Sequence, residues 1–392
     1  LYASIGDDLT WLLIGAFMLA AVLKHSGLGE RFALRAVASA RSVDRLFYRL
    51  TWAIAVTAFV VPSTSGRAAL LLPVFLTLAS AIRDRSVVRA MALLFPTIIL
   101  LSASASLLGA GAHLVAVDFM TQAGLPAIGF GHWLLLGAPF ALLSSLAATI
   151  VILRLFLNRE SRALPIALER AHAAPLTTQQ RRVIAITAFT VLLWAGASWH
   201  GVDAALIAIG GALLATWKSV TGVAMKDALK GVEWNLILFL AATLAMGEAL
   251  VQSGAARWLA EAAVDALPAA IIARPWCIVV ITAIVAMSAH LVVISRSARA
   301  ALLIPAVALP LSAAGLEPAG LIFLTAVGSG FCQTLSVSAK PLTLYAGLEM
   351  TTYSDSDLAR LSLCLLPVIA TLLIVFALWI WPLQGFPIVA TG

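Results

Sequence analysis

The chain has 392 residues, 62% of them hydrophobic and 11% charged, with a mean hydropathy of +1.04. Soluble domains carry about 25% charged residues, so a water-soluble globule is excluded. The net charge of +7 fits basic residues held at one membrane face and gives no reason to expect nucleic acid as a partner. Three cysteines, Cys277, Cys332 and Cys364, sit in apolar segments without a CxxC pair. That argues against a disulfide framework or a zinc site and predicts small buried hydrophobes.

In chain order, the first apolar span is expected at about 10–24. A shorter hydrophobic pair at about 46–81 carries "PSTSGRAALLLP" (62–73) at its middle. A long segment at 91–120 is interrupted by "SLLGAGAH" (106–113), and a span at 132–155 follows. Residues 158–180 are polar and charged, contain Pro165 and Pro175, and read as a cytoplasmic linker. Spans are then expected at 183–199, 203–217 and 234–251. A second short pair at about 275–313 carries "ISRSARAALLIP" (294–305), a segment near 318–348 is broken by "SVSAKP" (336–341), and a last span covers 361–384. These runs do not alternate apolar with polar residues, which excludes a β-barrel. Each long run suffices for a hydrocarbon core of about 30 Å. The fold class is therefore an all-α polytopic membrane protein. Trp133, Trp199 and Trp381 are expected as anchors at the membrane interface.

The two polar motifs are copies of each other. Eight of their twelve positions agree, 232 residues apart. "WLLIGAFMLAAVLKHSGLGERFALRAV" precedes the first and "LILFLAATLAMGEALVQSGAARWLAEAAV" the second. Basic residues divide 19 to 2 between the two sets of loops, with Arg257 and Arg274 alone on the poorer side. That split holds if 46–81 and 275–313 each enter and leave by one face, as re-entrant helical hairpins opening to opposite sides. The halves then form an inverted repeat, 1–157 and 181–392, with two hairpins and two broken helices, the plan of secondary transporters with midplane sites. Spans 183–217 have no counterpart before the first copy, so the symmetry predicts about two further helices upstream of Leu1.

The motif chemistry points to an anion. Ser63, Thr64 and Ser65, and Ser295 and Ser297, stand where helix N-caps are favoured, and a helix N-terminus attracts negative charge. Arg67, Arg296, Arg299 and Lys340 fall near the tips and breaks. Each would cost about 2.5–3.5 kcal/mol if it faced lipid at the bilayer centre, so all four should face the bundle interior, water or an anion. Arg67 and Arg299 are equally suited to substrate contact and to tying the tips to carbonyl groups. His113 is better read as hydrogen-bonded structure than as a ligand. Asp118 and Glu248 are the acids expected at that depth.

On these residues the chain resembles the divalent anion/sodium symporter family, within the wider ion-transporter superfamily. The resemblance runs from "WLLIGAFMLAAVLKHSGLGERFAL" to "YSDSDLARLSLCLLPVI", with the two hairpin motifs standing for the family's Ser-Asn-Thr tips. It implies a homodimer with a scaffold domain and a transport domain that moves like an elevator. The implied work is secondary active transport of di- or tricarboxylates or sulfate, in the lipid bilayer of a bacterial inner (plasma) membrane. It implies no enzyme activity, and no HExxH, GxSxG or carboxylate-rich cluster suggests one. The implied substrate residues are Ser63, Thr64, Ser65, Arg67, Ser295, Arg296, Ser297, Arg299, Lys340 and Pro341. Sodium as coupling ion would use Ser63, Ser106, Gly109, Ser295 and Ser336. Thr64 and Arg296 stand where the family carries Asn, and a fixed Arg is expected to replace a coupling cation. A proton-coupled permease or an anion exchanger of the same superfamily is the alternative.

Overall fold

The computed structural model describes residues 6–389 apart from 39, 83, 127, 167–174, 256–257, 259–261, 263–267 and 351. Arg257, most of the "ARWLAEAAV" segment and the side chain of Glu248 lie outside the described residues. Among those described the chain is helical, with two isolated β-bridges, Ser42 to Pro165 and Leu316 to Val389.

Helix α1 spans Asp8–His25 and starts where Asp7 accepts the Leu9 N–H at 2.9 Å. After α2 (Leu28–Val37) come α3 (Val43–Val56) and α4 (Thr64–Ala81), then α5 (Arg85–Ser102), α6 (Gly111–Gln122) and α7 (Phe130–Phe156). Beyond the linker, α8 (Thr178–Ala195) opens on a reciprocal cap between Thr177 and Gln180. It is followed by α9 (Ala204–Ala215) and α10 (Trp234–Gln252). Next are α11 (Pro275–Ser288), α12 (Arg296–Leu303, carried through a π-helical turn at Ile304–Ala308 to Ser312) and α13 (Pro318–Gly328). Last are α14 (Lys340–Ala346) and α15 (Asp355–Val375, carried through a second π turn to Leu383). Asp203 caps α9, and Ser354 with Asp357 caps α15. Short polar residues before apolar runs thus set most helix starts, because they satisfy N–H groups that the helix leaves unpaired.

Among the described residues five helical stretches are long and apolar enough to cross a membrane: Asp8–His25, Thr64–Ala81, Arg85–Ala105, Phe130–Phe156 and Asp355–Leu383. The chain is an integral multi-pass membrane protein. Helices α3 and α11 have 14 residues each, about 21 Å at 1.5 Å per residue, short of a hydrocarbon core of about 30 Å. The expected span at 91–120 is two helices separated by residues 103–110, and the segment at 318–348 is two helices separated by 329–339. Both breaks lie several residues upstream of where small and polar residues place them in sequence.

Two of the three tryptophans expected at the interface lie elsewhere. Trp133 and Trp381 are wholly buried, and only Trp199 is exposed. Each buried indole meets a carbonyl, Trp133 that of Ser104 and Trp381 that of Leu136, both at 3.1 Å. Between them Phe323 packs edge-on at 4.7 and 4.8 Å, so α7, α13 and the end of α15 share one aromatic core. A second cluster joins Phe75, Phe95 and Tyr345 from α4, α5 and α14. The cysteines are free: Cys332 is buried and Cys277 half-buried, whereas Cys364 is exposed, against the expectation of burial.

Helix α1 lies close on α9 because Gly15 has no side chain. A Cβ there would come within 2.6–2.8 Å of Ala208. Gly15→Leu should force the pair apart at a cost of about 1–3 kcal/mol. The expected result is a lower thermal midpoint of the purified protein in detergent, and an unchanged midpoint would contradict this packing.

Candidate functional site

The two repeated motifs turn through the same backbone. After α3 a 3-10 turn covers Thr57–Phe59, and Ser63 then caps α4 by accepting the Gly66 N–H at 3.1 Å. After α11 a 3-10 turn covers Ala289–Leu291, and Ser295 caps α12 by accepting the Ala298 N–H at 3.3 Å. The repeat read from the sequence is therefore a repeat of local structure.

An arginine follows each cap by four residues, and both are wholly buried. Arg67 donates from Nε to Thr57 Oγ1 at 2.9 Å and from Nη1 to the Ile99 carbonyl at 2.8 Å. Its Nη2 donates to the Ile54 carbonyl at 2.9 Å and to Ser102 Oγ at 2.7 Å. Arg299 donates from Nη1 to the Val293 and Ile294 carbonyls at 2.9 and 3.0 Å, and from Nη2 to the Ser329 carbonyl at 2.8 Å. Ile54 and Ile99 belong to the last turns of α3 and α5, where carbonyls carry partial negative charge; the Ile54 carbonyl also accepts from Thr57 Oγ1 at 2.6 Å. Of the two roles open to Arg67 and Arg299, these contacts are those of the tie: each joins its tip to the end of the helix before the break.

The breaks also match. Ser106 (φ −127°, ψ 140°) leads into a 3-10 turn at Leu107–Gly109 and an extended Ala110 (φ −157°, ψ 148°). Leu335 (φ −123°, ψ 141°) leads into Ser336–Ser338 and an extended Ala339 (φ −157°, ψ 142°). Gly109 thus corresponds to Ser338, one small residue to another, and Ser336 corresponds to Leu107. Each break packs on its own tip. Leu108 shares a small cavity with Ala58, Val60 and Pro62, and Thr334 bonds His290 at 2.8 Å. The five residues considered for a cation are distributed unevenly. Ser106 Oγ is buried without a partner, and Gly109 closes on the Ala103 carbonyl. Ser63 is buried, Ser295 is exposed, and the Ser336 carbonyl accepts from Thr343 at 2.9 Å.

Arg296 takes a different direction from Arg299. Its Nη2 reaches His113 Nε2 at 3.0 Å, at the start of α6 in the other half. A guanidinium only donates, so His113 Nε2 accepts and its Nδ1–H points to the Ser106 carbonyl at 2.9 Å. The imidazole stacks on Trp133 at 4.7 Å, which makes His113 a hydrogen-bonded structural residue. Nε and Nη1 of Arg296 are buried with no partner, beside a cavity no larger than a water, lined by Leu100, Ser104 and Gly330 among others. Ser297 is buried against Gly111, whose hypothetical Cβ would meet its Oγ at 2.6 Å. Lys340 is exposed at the first position of α14, and Pro341 beside it is buried. Asp118 is buried and accepts from Gln122 at 2.9 Å.

A polar cleft at the first tip, of about 640 Å³, is large enough for a small organic anion, within the usual range of ligand sites of about 300–1,000 Å³; a second space of about 680 Å³, lined by Phe32, Trp52, Val56, Ile184 and Leu192, is apolar. Ser63, Ser65 and Gly66 line one side of the polar cleft. Lys24 and His25 from the end of α1, with Asp227, Lys230 and Glu233 ahead of α10, line the other. Ser63 Oγ also donates to Glu233 Oε1. Lys230 bonds Asp227 at 2.8 Å and holds its exposed carboxyl below the usual carboxylate range. None of the second tip's residues lines this cleft, so Ser295, Arg296 and Ser297 do not join Ser63 and Ser65 around one space in this conformation. The reason is their docking: Arg296 and Ser297 face α6. Sequence reasoning missed Glu233, Lys24, His25 and Lys230. One signal was available, an acid directly ahead of the apolar run of α10 in the place Asp7 holds ahead of α1.

The family model of citrate transporters, CitMHS, matches residues 1–328. The chain belongs to the citrate transporter family. Over 96% of its length this family member is 22% identical to a membrane protein of Cupriavidus necator, covering 75% of that protein. Over 66% it is 28% identical to dicarboxylate transporter 1 of spinach chloroplasts, of which it spans about half, 48%. Its fold is similar to that of the YdaH transporter of Alcanivorax borkumensis, with a TM-score of 0.57 at 15% identity, covering 97% of this chain and 86% of the other.

If Arg67 pins the first tip, Arg67→Met should leave the Ile99 carbonyl unpaired, at about 1–3 kcal/mol, and remove one of the partners of the Ile54 carbonyl, which still accepts from Thr57 Oγ1. Uptake in liposomes and the thermal midpoint should both fall, and Arg67→Lys should recover only part of either, because an ammonium lacks the planar fork. Normal uptake and midpoint in Arg67→Met would show that the tip needs no such pin.

Proposed function

We propose that this protein is a secondary active transporter of small di- and tricarboxylates, with sulfate as a further substrate of the same charge class. The observation that carries this reading is the cleft at the first tip, where Ser63, Ser65 and the start of α4 face Lys24 and Lys230, with Asp227 paired to Lys230 and Glu233 bonded to Ser63 on the same wall. Such a surface suits carboxylates, since amide ends of helices and ammonium groups both favour negative charge. The citrate transporter family and the dicarboxylate transporter of spinach support the same substrate class.

Alternating access is proposed to follow the elevator scheme, in a homodimer, with the matching hairpins forming an inverted repeat. The second tip would reach the substrate in another conformation of that cycle. Coupling is proposed to depend weakly on sodium. Arg296 places a permanent positive charge at the position where the resembling family carries Asn, and its Nε and Nη1 remain unpaired. At about 4 Å and an effective dielectric of about 20, such a charge repels a sodium ion by about 4 kcal/mol, about a thousandfold in affinity. Proton-coupled transport and anion exchange are the modes this leaves.

Purified protein in liposomes tests both levels. Concentrative uptake of citrate, succinate or sulfate is expected, and binding without uptake would refute a transport role. Uptake by the unaltered protein should change little with sodium at fixed pH and membrane potential. Arg296→Asn should lower anion affinity at low sodium and introduce sodium dependence. Steep, cooperative sodium activation of the unaltered protein would overturn the role given to Arg296 and leave the transport reading intact.

A further inference from the structure

We infer that Glu233 is a built-in carboxylate ligand of the first hairpin tip, which a substrate carboxylate has to displace in order to bind there. The inference rests on the proposed anion site but assigns a role to a residue outside both repeated motifs. Ser63 caps α4 through its Oγ lone pair, which accepts the Gly66 N–H, and its one hydroxyl proton goes to Glu233 Oε1. A serine hydroxyl has a single donor. While Glu233 holds it, no substrate oxygen can receive it, and the tip's only capping hydroxyl is already satisfied by a carboxylate of this chain.

The position of Glu233 makes the occupancy more than a chance contact. Its carbonyl accepts the first N–H groups of α10, from Leu236 at 2.9 Å and Ile237 at 3.2 Å, so its backbone is fixed by the helix it begins. Just upstream, Gly231 lies against Ala21 of α1 so closely that a Cβ would meet the alanine methyl at 2.5 Å. Glu233 therefore projects from a wall made by α1 and the start of α10, and its carboxylate crosses the cleft to the hairpin. The charged and titratable groups that share the cleft are Lys24 and His25 from α1 and Asp227 and Lys230 from the segment before α10. Lys230 is engaged with Asp227, so among the described residues Lys24 is the lysine of the cleft that is not in an ion pair and can balance Glu233. An incoming dicarboxylate brings further negative charge to the same tip. Two carboxylates sharing one site repel and cannot both stay ionised there at low cost. Substrate entry thus exchanges one carboxylate for another, releases the wall from the hairpin, and couples binding to opening between α4 and α10.

The test reads the potential at the tip without needing to know the substrate. In a background with Cys277, Cys332 and Cys364 replaced by Ala, Ser65→Cys supplies a thiol on the cleft wall. Its labelling rate is measured with an anionic sulfonate-bearing methanethiosulfonate and with a cationic ammonium-bearing one. Adding Glu233→Gln should raise the anionic-to-cationic rate ratio about tenfold, the scale of one unit charge at cleft distances after salt screening. Glu233→Ala should do the same, which guards against a folding defect peculiar to one variant. An unchanged ratio in both variants overturns the role of Glu233 whether or not the protein carries carboxylates. In a second measurement, citrate and succinate binding by calorimetry should tighten in Glu233→Gln, and weaker binding would mean that Glu233 assists the substrate and does not compete with it. Failure of every form to bind either acid, with the labelling ratio raised as expected, would refute the substrate class alone.

Discussion

The architecture depends on two buried guanidinium groups. A helix that begins in the interior of a membrane protein has N-terminal amides that need partners, and so do the carbonyls of the turn before it. Water would satisfy both in a soluble protein, but hydrocarbon cannot. Arg67 and Arg299 satisfy the carbonyls from the inside, and Ser63 and Ser295 satisfy one amide each. Each arginine also reaches the end of the helix ahead of the break, through Ile99 and Ser102 in one half and Ser329 in the other. Tip and break are thus tied together, by the same kind of contact in both motifs.

The halves are then joined across the middle by contacts of unequal character. From the second half, Arg296 and Ser297 reach His113 and Gly111 on α6. In return, Tyr345 from α14 packs between Phe75 and Phe95 and donates a long hydrogen bond to the Ala68 carbonyl at 3.4 Å. One junction is polar and the other aromatic. The polar junction carries a permanent charge with two unpaired donors, and the open cleft lies at the other tip. The two tips, alike in backbone and in their buried Arg67 and Arg299, are therefore unlike in chemistry: one presents hydroxyls to a cleft, the other turns a second arginine, Arg296, to His113.

The cleft itself joins elements that are far apart in sequence. Its hairpin side comes from 61–70 and its other side from 17–25 and 227–233. The close approach of α1 to α9 at Gly15 and of Gly231 to Ala21 sets the second wall, so small residues with no chemistry of their own decide where Lys24, Lys230 and Glu233 stand. Charge balance at the tip follows from that packing.

Much of this was legible in the sequence for physical reasons that act locally. Apolar runs report spans because hydrocarbon demands them, and Ser, Thr, Asp or Asn ahead of such runs report helix starts because amides need partners. A twelve-residue motif written twice reports two tips, since a capping hydroxyl and an arginine four residues on serve one local geometry. What the sequence could not decide was direction. Arg67, Arg296 and Arg299 are equal as letters, and only the fold turns two of them back to carbonyls and one across to His113. Trp133 and Trp381 have the amphipathic character of interface anchors, yet carbonyls of Ser104 and Leu136 inside the bundle satisfy their N–H groups equally well. The breaks begin upstream of the visible small and polar runs, where Arg67 holds Ile99 and Ser102 and Arg299 holds Ser329 at the helix ends. Glu233 belongs to no motif, and its contact with Ser63 spans 170 residues. Local chemistry determines which segments cross and where they are capped, while long-range packing alone determines which polar groups meet.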